Sequence, residues 1–141
     1  MRLDRFDSMV DAIEYLRKEK LKTNKGCASV KDAKKYLMKH LPKESYYQDK
    51  IMKFLQATYP GVSFTWKAAA GPYTRQGIPD VCFILEGRFY GFEIKRPYIG
   101  VLSKMQEQTI KQIRAAGGVA EVVTFPEQVQ KIIEEVSNGK A

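Results

Sequence analysis

A chain of 141 residues is enough for one compact domain and marginal for two. With 44% hydrophobic and 28% charged residues it has an ordinary globular composition, and no apolar run approaches membrane-spanning length, so no membrane-spanning helix and a cytoplasmic protein are expected. Lys and Arg number 24 against 16 Asp and Glu, a net +8 that fits a polyanionic partner, while His40, the single histidine, excludes a zinc site built on several histidines.

Residues 4–21 are expected to form a helix, with Phe6, Met9, Val10, Ile13 and Leu16 on one apolar stripe. Lys22-Thr23-Asn24-Lys25-Gly26 breaks it, and Ser29 can cap a second helix with Asp32 in the capping-box position. That helix buries Ala33, Tyr36, Leu37 and Leu41. It exposes Lys31, Lys34, Lys35 and Lys39, which read first as a solvated face and second as phosphate contacts. Pro42 then restarts the helix, and residues 43–57 place Tyr47, Ile51, Phe54 and Leu55 on one side. Glu44 lies on that same inward side, either as a first-turn glutamate favoured by the helix dipole or as a carboxylate held at a site.

After the turn at Tyr59-Pro60-Gly61, alternation over Val62–Lys67 predicts a first strand. A polar loop, 68–77, follows; held by strands on both sides, it is a natural place for substrate contacts, with Lys67 and Arg75 as its basic residues. Val81–Leu85 and Arg88–Phe92 flank Glu86-Gly87 and predict a β-hairpin. A helix over 104–116 capped by Ser103, a fourth strand over 119–123 and a last helix opened by Pro126 complete the order α-β-β-β-α-β-α. The expected fold is α/β, a mixed four-stranded sheet flanked by helices.

Chemistry concentrates at the open end of the hairpin. If Glu86-Gly87 is a two-residue loop, Leu85 pairs with Arg88, and counting back sets Asp80 opposite Glu93, thirteen positions on. Lys95 shares that face. Directly opposed side chains sit about 5 Å apart and like charges there repel, so the pair calls for a cation; a hard divalent ion such as Mg²⁺ or Mn²⁺ takes oxygen ligands of this kind. Such an ion supplies what phosphodiester hydrolysis needs, with Asp80 and Glu93 as ligands and Lys95 orienting the nucleophile and offsetting developing charge. Cys82, in the first hairpin strand, is expected as a buried free thiol.

Gly77-Ile78-Pro79-Asp80-Val81, Gly87-Arg88-Phe89-Tyr90-Gly91-Phe92-Glu93-Ile94-Lys95-Arg96-Pro97, Leu102-Ser103-Lys104-Met105-Gln106 and Ala116-Gly117-Gly118 together resemble the VRR-NUC domain, the virus-type replication-repair branch of the PD-(D/E)xK nuclease superfamily. The resemblance covers residues 44–130 and implies a restriction-endonuclease-like core over 44–137, an N-terminal helical extension over 1–43 and a tail over 138–141. It also implies that Glu44, which with Gln48 and Ile51 matches a family pattern, joins the metal site, that the backbone carbonyl of Ile94 is a further ligand, and that Gln106 reaches back to the water or phosphate. Gln106 equally fits a capping box with Ser103. Arg96 and Lys104 are candidate phosphate contacts beside Lys67 and Arg75.

The activity so implied is a Mg²⁺- or Mn²⁺-dependent endonuclease acting on branched DNA. A chain of little more than this domain resembles members from viral and phage replication or repair systems, and their similarity to archaeal-type Holliday junction resolvases adds the expectation of a homodimer, since a four-way junction needs two symmetric cuts. A non-catalytic DNA-binding module of the same fold and a sequence-specific restriction-type nuclease are the alternatives.

Overall fold

The computed structural model describes residues 2–23, 26–69 and 71–139. The chain divides into two compact units, residues 1–42 with 96–100, and residues 43–95 with 101–141. No helix of the described residues is long and apolar enough to cross a membrane.

In the smaller unit, α1 (Met9–Tyr15) begins at Ser8, whose Oγ accepts the Asp11 amide at 3.1 Å. It continues as a π-helical turn, Leu16–Lys20. The helix expected over 4–21 therefore starts later and ends in wider winding, and Val10, assigned to its apolar stripe, is 71% exposed. The Ser8 cap explains the late start: its side chain satisfies a first-turn amide and its own backbone is extended. The segment expected as a plain break pairs as a small hairpin, β1 (Lys22–Thr23) with β2 (Gly26–Cys27); Asn24 and Lys25 lie outside the described residues. Helix α2 (Val30–His40) is capped by Ser29 as expected. Ile13, Leu16, Ala33, Leu37 and Leu41 form this unit's core.

The larger unit opens with α3 (Glu44–Thr58). Pro42 does not start this helix. It disfavours helical backbone at Leu41, which is extended (φ −66°, ψ 145°), and so ends α2; Lys43 takes the N-cap position. Strands β3 (Ser63–Lys67), β4 (Val81–Leu85), β5 (Arg88–Ile94) and β6 (Val119–Val123) form one sheet in the order β3-β4-β5-β6. The first three are antiparallel; β5 and β6 run parallel, joined through α4 (Lys104–Ala115). Helix α5 (Pro126–Ser137) has Pro126 in its first turn. One sheet face packs Val81, Phe83, Leu85, Tyr90, Phe92 and Ile94 against Tyr47, Ile51 and Leu55 of α3 and Val129 and Ile133 of α5. This is the expected mixed four-stranded sheet flanked by helices.

Candidate active site

The hairpin turn determines which carboxylates meet. Glu86 (φ 52°) and Gly87 (φ 76°) both adopt left-handed backbone, as a two-residue I′ turn demands. Leu85 pairs with Arg88 and Val81 with Phe92, so the next step back sets Asp80 against Glu93, the register expected from parity. A second device aims Asp80. Gly77 has φ 82°, and a Cβ there would stand 2.9 Å from both the Met105 carbonyl oxygen and Thr109 Oγ1; the loop can lie on α4 only because the side chain is missing. Gly91 plays a similar part in β5, where an added Cβ would come within 2.8 Å of the Pro79 ring.

Glu93 is the centre of the cluster and is 1% exposed. Its Oε1 accepts a 2.6 Å hydrogen bond from Gln106 Nε2 and lies 3.8 Å from Lys95 Nζ. Its Oε2 is buried and accepts no hydrogen bond among the described residues, so that when Glu93 is ionised this oxygen is left without a partner. Asp80 Oδ2 accepts the Ile94 amide at 2.8 Å. Burial, then a hydrogen bond that only a protonated carboxyl can give Asp80, then the charges of Asp80 and Glu44 push the Glu93 carboxyl up to about 8, against the opposing pull of Lys95. Glu44, at the start of α3, thus lies close enough to act on Glu93 electrostatically, and it accepts Gln48 Nε2 at 3.3 Å.

Gln106 closes the expected capping box and also reaches the acid cluster, where its partner is Glu93. Its Oε1 accepts the Ser103 amide at 3.0 Å and closes the capping box, which leaves Nε2 to donate to Glu93. Lys95 is held through its backbone: its amide donates to Val123 O at 3.0 Å and its carbonyl accepts Thr124 Oγ1 at 2.8 Å. Thr124, Gln48, Gly77 and Gly91 are contributors that sequence reasoning left without a site role. The signal was faint: a threonine one residue past a strand, and glycines whose tight neighbours come from distant segments. Cys82 is a buried free thiol, raised to about 11 by burial and then by Asp80 and Glu93, so it is no nucleophile.

The expected phosphate contacts fare differently. Lys104 is exposed on the first turn of α4. Lys67 stands 3.7 Å from Asp49, and the Arg75 guanidinium donates to Gln112 Oε1 at 3.1 Å; all three basic residues remain open to solvent. Arg96 departs from expectation. Its guanidinium donates to the carbonyls of Pro42 (3.0 Å), Met38 (2.9 Å) and Leu41 (2.9 Å), where it closes the carboxyl end of α2 and satisfies carbonyls that a helix end leaves open. It is a helix cap, not a free phosphate ligand.

Among the described residues no group of three or more His, Cys, Asp or Glu side chains is already arranged around one point as a metal cage. The donor set nevertheless fits a hard cation. Two carboxylates face each other, one has a buried oxygen that accepts no hydrogen bond, and a third adds negative potential.

A mixed sheet carrying opposed acids at the end of its central hairpin, with a lysine on the same face, defines a restriction-endonuclease-like nuclease fold. No protein-family model matches the chain, and no curated protein matches it. Among solved structures, one described as a VRR-NUC domain matches with 25% identity and a TM-score of 0.50, covering 64% of this chain and 94% of that one. The resemblance to the VRR-NUC domain expected from the motifs therefore holds in three dimensions.

Proposed function

We propose that this chain is a Mg²⁺- or Mn²⁺-dependent DNA endonuclease. The observation that carries the reading is a buried Glu93 carboxyl beside Asp80 whose Oε2 accepts no hydrogen bond when ionised, with Lys95 Nζ 3.8 Å from Glu93 Oε1. An isolated buried carboxylate oxygen is costly, and a divalent cation would offset that cost. Asp80 and Glu93 would hold the ion, with the Ile94 carbonyl and Glu44 completing the oxygen set directly or through water. When bound, the ion supplies charge neutralisation and a more acidic water. Lys95 orients the attacking water against the scissile phosphate and offsets the charge that builds there. Gln106 holds Glu93 in one rotamer and keeps its Oε1 turned from the phosphate. Lys67, Arg75 and Lys104 contact neighbouring phosphates.

Branched DNA is the substrate that best suits the VRR-NUC likeness, with two chains cutting symmetrically. The exposed strip of Val62 just before β3, Phe64 on β3 (both 64% exposed) and Ile84 on β4 (37%) is apolar enough to serve a two-fold contact. The free Cys82 thiol suits a reducing cytoplasm, that of a host cell if the chain is viral.

A nicking assay on supercoiled plasmid tests the activity. Activity should require Mg²⁺ or Mn²⁺, and Asp80→Ala should reduce it by roughly a hundredfold to a thousandfold or more. Equal rates for the two proteins would leave a non-catalytic DNA-binding module. A panel of linear duplex, flap, splayed-arm and four-way junction substrates then separates structure-selective cutting from restriction-type sequence specificity.

A further inference from the structure

The basic excess of the chain is unevenly shared. Residues 1–42 with 96–100 hold 12 Lys and Arg against 6 Asp and Glu, whereas the rest hold 12 against 10, so the smaller unit carries +6 of the chain's +8. Several of its acids are already engaged. Asp11 and Asp32 each accept from the serine that caps their helix, Glu14 pairs with Lys18, and Asp4 pairs with Arg2.

Helix α2 presents the excess on one side. Ala33 and Leu37 are buried, while Lys31, Lys34, Lys35 and Lys39 are all exposed, and among the described residues none of the four pairs with a carboxylate. Lys31, Lys35 and Lys39 recur at intervals of one turn, about 6 Å along the axis, and like charges at that spacing repel. Lys22, from the β1–β2 hairpin, joins Lys35, Lys39 and Tyr36 around a shallow hollow of about 350 Å³, with Asp32 at its edge. The face carries no Arg, Asn or Gln, the side chains that read base edges by paired hydrogen bonds. Ala33, Leu37 and Leu41 are spent on this unit's own core, and the exposed Val30 and Met38 are too few to form the broad apolar face that a lipid surface takes.

We infer that the N-terminal unit is a second DNA grip: the lysine face of α2 lies along the phosphate backbone of duplex DNA and adds affinity without sequence preference. The nuclease reading enters only in the choice of DNA as the polyanion. The unit therefore sets how strongly DNA is held, and the acid cluster sets whether it is cut.

The test compares the full chain with a Lys31→Ala/Lys34→Ala/Lys35→Ala/Lys39→Ala variant, using fluorescence anisotropy on a duplex oligonucleotide in chelator over a range of salt. Four lost phosphate contacts should weaken binding at least ~10-fold near ~0.1 M salt and flatten the slope of log K against log salt by about 3.6. The matching four-fold Lys→Arg variant should keep affinity and slope, and the nicking rate at saturating DNA should be unchanged in both. Circular dichroism like that of the parent identifies a folded alanine variant, and the arginine variant preserves the test should the alanine one unfold. Unchanged affinity and slope in the alanine variant would overturn the grip. So would unaltered duplex binding alongside lost binding to phosphatidylserine vesicles, which would assign the face to a membrane surface. Because binding is read without metal, a wild-type protein that fails to nick DNA would sink the nuclease reading and leave the grip still decided by the anisotropy.

Discussion

Near neutral pH, Glu93 takes up a proton as the chain folds. Its folded value of about 8 lies above its ordinary 4.5, so between these limits the native state binds more protons than the unfolded chain. Metal-free protein should therefore lose stability as pH rises from about 4.5 to about 8, by on the order of a few kcal/mol, and Glu93→Gln should remove that slope. Urea melts in chelator across this range check it; parallel curves for the two proteins would show that Glu93 ionises freely. Gln106 can be dissected at the same scale. Gln106→Glu keeps a capping-box acceptor but replaces the amide donor with a charge facing Glu93, whereas Ser103→Ala removes the cap and leaves that donor. The first should lower nicking at least tenfold, while the second should cost about 1 kcal/mol of stability with little loss of nicking. Rates and melts measured together distinguish the two roles. The Asp80–Glu93–Lys95 set was legible because one turn and the alternation of strand side chains determine it. The Gln106–Glu93 bond was half legible: the capping box shows in the spacing, but not which amide atom is left over.

At the level of elements, the loop before Asp80 depends on one missing side chain. Gly77→Ala must carry a Cβ at positive φ and at 2.9 Å from the first turns of α4, so it should cost about 1–3 kcal/mol and lower nicking by moving Asp80. Gly61→Ala, with φ 76° but no atom within 4 Å of the added Cβ, is the matched control; it should cost less and leave nicking intact. Thermal melts and rates on both variants check the pair. Strands β3 to β6 and helices α4 and α5 were readable because alternation, caps and glycine stops agreed there. The β1–β2 pairing was not, since two-residue strands carry no periodicity. The role of Arg96 was hidden for a different reason: the carbonyls it caps lie more than fifty residues earlier, and a basic residue directly after the lysine proposed to act on the phosphate looks like a phosphate contact.

Across the whole molecule, charge and chemistry occupy different parts of the chain. The larger unit is nearly balanced and holds the acid cluster, whereas the smaller one carries most of the positive excess. The fold was legible as a whole because every element of the sheet follows from local pattern. The charge imbalance also stands in the sequence, since residues 1–42 alone hold 11 Lys and Arg against 6 Asp and Glu; that residues 96–100 join this unit appears only from the contacts. What unites the account is a cation between Asp80 and Glu93. Calorimetric titration of Mn²⁺ into the protein with duplex DNA present addresses it most directly. The wild type should take up the ion saturably, with proton release near neutral pH as Glu93 ionises, and Asp80→Ala should lose that uptake. No uptake, or equal uptake by both proteins, would contradict it.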